Sequence, residues 1–192
     1  MYEELEKVRQ TCQSCRECGL CEGRTNVVFS DGIPNDKLML IGEAPGHQED
    51  IEGKPFVGRS GQLLDKILKS INIERGKNIY ICNTVKCRPP DNRNPTPEEQ
   101  IICRKYLDSQ INVIKPRIIL LCGAVAVKGF INTTLGITKI RGQWFDGPNG
   151  SRMMPIFHPA YLLRNSTRAE GGPKWLTWKD CQEIRRKYDR LL

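Results

Sequence analysis

Lys37-Leu-Met-Leu-Ile-Gly-Glu-Ala-Pro-Gly46 carries a short apolar run directly into a turn marked by glycine and proline. Lys37–Ile41 is strand length and lacks polar alternation, so it reads as a strand buried on both faces. Three more runs read the same way: Asn78–Cys82, Arg117–Cys122 and Met153–Phe157. They recur at intervals of about forty residues, long enough for a crossover helix each time. In sheets of this kind ligands bind beyond the carboxyl ends of the strands. The four exits read Gly42-Glu43-Ala44-Pro45-Gly46, Asn83-Thr84, Gly123-Ala124 and His158-Pro159. All are glycine-rich or polar, as a shared site requires.

The intervening helices are legible too. Leu64, Ile67, Leu68 and Ile71 fall at i, i+3, i+4 and i+7, one buried face. Thr96-Pro97-Glu98-Glu99 opens another helix: Thr96 caps, Pro97 suits the first turn, and Glu99 completes a capping box. Its buried face runs Cys103, Leu107, Ile111, Ile114, and Pro116 follows its end. Gly123–Phe130 predicts a shorter helix, and Trp178, Cys181, Ile184, Tyr188 and Leu191 a final amphipathic one. Strands alternating with helices predict an α/β three-layer sandwich, a central four-stranded parallel sheet with helices on both faces. A length of 192 residues suits one domain over 1–192.

Lys and Arg number 30 against 22 Asp and Glu, a net charge of +8. Such an excess favours a polyanionic partner, nucleic acid above all, against the plainer reading of a basic enzyme with a solvated surface. Met1-Tyr-Glu-Glu-Leu-Glu-Lys has no signal-peptide core, and runs such as Ile118–Cys122 are too short to span a bilayer. The expectation is a cytoplasmic protein with no membrane partner.

Nine cysteines are many for such a chain. In a reducing cytosol a disulfide framework is disfavoured, and clustered cysteines point to metal or redox chemistry. Cys12, Cys15, Cys18 and Cys21 form a continuous C-x2-C-x2-C-x2-C run, Cys87 follows in Val-Lys-Cys-Arg-Pro-Pro, and Cys103 lies on the capped helix. A zinc ribbon wants a second C-x2-C, whereas Cys87 and Cys103 are sixteen apart. The ferredoxin run has a wider last gap and a proline. A single four-iron cluster suits one C-x2-C pair plus two dispersed cysteines; the spacing leaves open which two N-terminal cysteines take part. Cys82, Cys122 and Cys181 fall on buried faces and read as core.

Further motifs carry a resemblance: Glu22-Gly-Arg-Thr, Gly42-Glu-Ala-Pro-Gly, Glu49-Asp50, Lys54-Pro-Phe-Val-Gly, Tyr80-Ile-Cys-Asn-Thr-Val-Lys-Cys-Arg-Pro-Pro, Asn92-Arg93, Thr138-Lys-Ile-Arg-Gly, His158-Pro-Ala-Tyr-Leu-Leu-Arg-Asn, Pro173-Lys174 and Thr177-Trp178. In this order, from Cys15 through Lys187, the chain resembles the family 4 uracil-DNA glycosylases, the iron–sulfur branch of their superfamily. The resemblance implies a DNA repair enzyme that hydrolyses the N-glycosidic bond of uracil in DNA. It implies a structural 4Fe-4S cluster on Cys15, Cys18, Cys87 and Cys103, with Cys12 and Cys21 extra. The expected partner is uracil-containing DNA, single- or double-stranded, met by a monomer in the cytoplasm or nucleoid.

Site roles follow from the same resemblance. The base must leave the stack before its glycosidic bond can be reached. Catalysis is then mainly electrostatic, by donors aimed at the departing uracil anion. His158 matches the histidine that bonds uracil O2, Asn83 the base reader, and Phe56 the ring that stacks on uracil. Gly42, Glu43 and Ala44 match the loop against the base. A better-known branch has a water-activating aspartate in that loop where this chain has Ala44, so Glu43 and Glu49 become the candidate water positioners. Leu162 and Leu163 are candidate wedges, and Arg164, Arg168, Lys174, Lys86, Arg88 and Arg93 candidate phosphate contacts. His47 matches no role. A cross-linking relative is disfavoured, because Pro-Pro-Asp-Asn-Arg-Asn-Pro after Cys87–Arg88 contains no histidine. The alternatives are a related superfamily member that excises another damaged base, and a non-enzyme, an iron–sulfur electron carrier or a replication accessory.

Overall fold

The computed structural model describes residues 1–165 and 167–191. The elements are α1 (Tyr2–Gln13), α2 (Leu20–Gly23), β1 (Asp31–Gly32), β2 (Leu38–Gly42), α3 (His47–Glu52), α4 (Arg59–Lys69), β3 (Tyr80–Asn83), α5 (Pro97–Ile114), β4 (Ile118–Cys122), α6 (Ala124–Lys128), α7 (Ile137–Ile140), β5 (Phe145–Asp146), β6 (Arg152–Ile156), α8 (Pro159–Arg164) and α9 (Pro173–Asp189). The sheet order is β1-β3-β2-β4-β6-β5. The expected four-stranded, all-parallel sheet needs correction: the sheet has six strands and is mixed. The inner strands β3, β2, β4 and β6 pair parallel, while β1 and β5 add antiparallel edges. Each edge strand is two residues long, too short to show any periodicity.

Both faces of the inner strands are covered, because successive side chains point to opposite faces. Leu38 and Leu40 pack with Leu64 and Leu68 of α4 and with Cys181, Ile184 and Tyr188 of α9. Met39 and Ile41 pack on the other face with Leu5 of α1, Leu107 and Ile111 of α5, Val127 of α6 and Ile140 of α7. The helix α1 was not read from the sequence. Helix α5 starts as expected: Thr96 Oγ1 accepts the Glu99 N–H at 3.2 Å, and the Glu99 carboxylate accepts the Thr96 N–H at 2.8 Å. Cys82, Cys122 and Cys181 are core residues. Among the described residues, no helix is long and apolar enough to cross a membrane.

Candidate active site

The inner strands run parallel, so their carboxyl ends share one edge. There Gly42 stands in register with Asn83. A Cβ on Gly42 would lie 2.4 Å from Asn83 Oδ1 and 2.5 Å from Phe56 Cζ. Only hydrogen fits between them, and three chain segments meet at that point. The Phe56 ring lies 5.7 Å from the His158 ring, tilted by 33°. Gly123, at φ +95°, closes the group, since a Cβ there would lie 3.2 Å from His158 Cβ. All four strand exits therefore contribute to one place.

Two polar groups in it are poised rather than consumed. Asn83 is 2% exposed, and among the described residues its amide has no protein hydrogen-bond partner. The Asn83 amide is thereby left available to a ligand that offers it a matching donor and acceptor. His158 caps α8, its Nδ1 accepting the Ala160 N–H at 3.2 Å. That bond puts the ring proton on Nε2. Burial, helped by the nearby Arg164 charge and opposed by Glu49, pushes this imidazole down to about 4. At neutral pH His158 is therefore a neutral N–H donor. Glu43 adds a carboxyl whose pKa burial raises; among the described residues only its main-chain oxygen is engaged, by Thr84 Oγ1 and the Val85 N–H.

Glu49 is occupied differently. Its carboxylate accepts the Gly46 N–H at 3.1 Å, the Val57 N–H at 3.0 Å and the Gly58 N–H at 2.8 Å. It thus caps α3 and ties that helix to the segment after Phe56. Phe56 needs such support, because it sits at φ +54°, a conformation costly for a bulky side chain. Arg75 adds to it, donating to the main-chain oxygens of Pro55 at 2.6 Å and Phe56 at 2.7 Å and pairing with Asp31 and Asp65. Gly61 completes the clamp: its missing Cβ would lie 1.8 Å from Phe56 O. Sequence reasoning missed Arg75 and Gly61; the Gly in Arg59-Ser-Gly-Gln, inside a helical pattern, was the available signal.

The candidate DNA contacts divide. Leu162 is 2% exposed and belongs to the core, so the expectation that it wedges into DNA is corrected; Leu163, at 41%, is the one that faces out. Helix geometry turns neighbouring residues about 100° apart, which sends the two leucines different ways. Lys86 is also corrected as a phosphate contact, since it is 1% exposed. Arg93 pairs with Glu99 at 2.6 Å. Arg88 donates to Asn92 Oδ1 and lies 3.0 Å from His47 Nδ1. Arg164 and Arg168 are exposed and Lys174 partly so.

The second site is sulfur-rich. Cys12, Cys15, Cys18, Cys21, Cys87 and Cys103 surround one cavity with Arg24, Lys86 and Tyr106. Arg24 Nη1 donates to Cys87 Sγ at 3.1 Å, and Nη2 to Cys15 O at 2.8 Å. Burial raises the Cys12 thiol to about 12 and the Cys103 thiol to about 11. Among the described residues, no three His, Cys, Asp or Glu side chains close on a point as a single metal ion demands. The donors are soft sulfur in a protected cavity, which fits iron–sulfur chemistry rather than a hard cation. Buried Asp50 fastens this region to α3, accepting the Thr25 N–H at 2.9 Å and the Asn26 N–H at 3.1 Å.

Comparison with known proteins places the chain in a family. The profile of the family described as "Uracil DNA glycosylase superfamily" matches residues 29–182. A type-4 uracil-DNA glycosylase of Thermotoga maritima is 46% identical over 164 residues, covering 85% of both chains. Its counterpart from Sulfurisphaera tokodaii is 42% identical over 172 residues, covering 85% of this chain and 77% of its own. That from Archaeoglobus fulgidus is 38% identical over 170 residues, 84% of each.

Proposed function

The chain belongs to the uracil DNA glycosylase superfamily, in its type-4 branch, and on that premise we propose that it excises uracil from DNA, leaving an abasic site. The observation that carries this reading is the convergence of the unpaired Asn83 amide, Phe56 and the neutral His158 Nε2–H around Gly42. A flipped uracil stacks on Phe56. The Asn83 amide accepts its N3–H and donates to O4, and cytosine fails both contacts. Sites built this way discriminate by about 10⁴–10⁵. As the glycosidic bond breaks, negative charge gathers on uracil and His158 donates to O2. A donor that is neutral beforehand needs no proton transfer to do this. Glu43 is the proposed water positioner, its carboxyl free of protein partners among the described residues. Glu49 braces the pocket through three backbone N–H groups. Leu163 enters the space of the flipped base, and Arg88, Arg164, Arg168 and Lys174 contact phosphates. The substrate is single- or double-stranded DNA, and the enzyme acts as one domain over 1–192, a monomer in the cytoplasm or nucleoid. Incubation with a uracil-containing oligonucleotide, then alkali, tests the proposal: strand breaks at uracil are expected, and their absence would sink it.

Cys15, Cys18, Cys87 and Cys103 would hold a 4Fe-4S cluster, with Cys12 and Cys21 as additional sulfur in the same cavity. When bound, that group supplies a structural tie between the N-terminal segment, the proline-rich loop and α5, and no redox step is assigned to it. Cys87→Ala is expected to lose the absorbance near 400 nm typical of such clusters, whereas Cys21→Ala keeps it.

A further inference from the structure

Lys86 lies among neutral groups. Its Nζ donates to Asn83 O at 2.8 Å and to Gln110 Oε1 at 2.6 Å, and stands 5.9 Å from the Phe29 ring centroid. The Gln110 amide is fixed in this orientation because its Nε2 donates to Phe29 O and to the Tyr80 hydroxyl. No carboxylate is among these partners. A buried ammonium paired only with neutral acceptors is costly, by several kcal/mol in general, so its placement calls for a buried anion. Lys86 also lines the cysteine cavity, as does Arg24, whose guanidinium reaches Cys87 Sγ. The other charge on that lining, Glu17, is paired with Lys105. Four thiolates around a four-iron, four-sulfide core in its usual oxidised state carry two negative charges in sum. Lys86 and Arg24 supply two positive ones.

We propose that Lys86 is a positioning residue that joins the two sites. Its charge balances the cysteine-held cluster, and its hydrogen bond to Asn83 O fixes the strand end from which Asn83 reads the base. The proposal rests on the reading of the cysteines as cluster ligands and of the strand exits as a uracil site. It gives Lys86 no contact with DNA.

Lys86→Met, of similar length and uncharged, tests it. The variant is expected to release iron to a chelator at least tenfold faster than wild type. Its cluster should show a more negative reduction potential, since a nearby positive charge is gone. Single-turnover uracil excision should fall 10- to 100-fold while the Kd for DNA stays within about threefold. Gln110→Met keeps the charge and removes one anchor, so it should slow excision and leave the potential at the wild-type value. A phosphate contact would behave otherwise: Lys86→Met would weaken DNA binding and lower its salt slope by about one, with cluster and potential unchanged, and that result overturns the proposal. Equal shifts of potential in both variants would overturn it too. Should Lys86→Met not fold, Gln110→Met alone decides the link to Asn83, which wild-type excision rates would refute. Wild-type protein without iron or without uracil excision sinks the underlying reading instead.

Discussion

Gly42, Asn83, Phe56 and His158 lie so close that single atoms matter. Gly42→Ala forces Asn83 Oδ1 or the Phe56 ring aside, and displacements of about 1 Å cost on the order of 100-fold in rate. Single-turnover excision should fall by that factor with DNA affinity held within about threefold, a split that binding and quench-flow measurements would show. His158 makes a pH prediction. Its folded pKa of about 4 lies below the unfolded value near 6.5, so protons favour the unfolded chain. Its contribution, about 3 kcal/mol, is complete above pH 6.5 and is lost as pH falls towards 4. Urea titrations should show that loss, and His158→Gln should flatten it. Glu43 has its pKa raised by burial, so the acid limb of the excision rate should begin above the ordinary carboxylate range and vanish in Glu43→Gln. Asn83 and His158 were legible from motifs at strand exits. Arg75 was not, because its task is defined by Phe56, nineteen residues earlier in sequence and adjacent only in space.

Elements depend on their ends and on a few long-range pins. Thr96→Ala removes a capping bond from α5 and should cost about 1 kcal/mol in denaturant titrations, with excision by the folded fraction unchanged. Arg141 of the Thr138-Lys-Ile-Arg-Gly motif pairs with buried Asp180 of α9, its Nε 2.7 Å from the carboxylate. Arg141→Ala leaves that carboxylate buried alone, and a loss of about 3–5 kcal/mol is expected; a loss under 1 kcal/mol would show that the pair holds little. The α5 capping box and the β2 strand were readable because their signals lie within a few consecutive residues. The helix α1 has two buried residues, Leu5 and Cys12, and that stripe was too sparse to read.

At the scale of the whole molecule, the proposed DNA binding is a matter of charge. With Lys86 buried and Arg93 paired, the candidate phosphate contacts number four: Arg88, Arg164, Arg168 and Lys174. The slope of log K against log salt should then be no steeper than about −3.6 for duplex and about −2.8 for single strands. A duplex slope of about −5.4 would restore the two discarded contacts. Periodicity, caps and strand-exit composition gave the α/β class and the inner strands and pointed to the strand exits as the proposed site, since each is a property of neighbouring residues. Motif order indicated the chemistry. The tertiary structure alone decided exposure and pairing: Leu162 inside and Leu163 outside, Glu49 committed to backbone, Lys86 between the sulfur cavity and Asn83. Burial and hydrogen bonding depend on what distant segments place around a side chain, and for Lys86 those segments are Phe29 and Gln110.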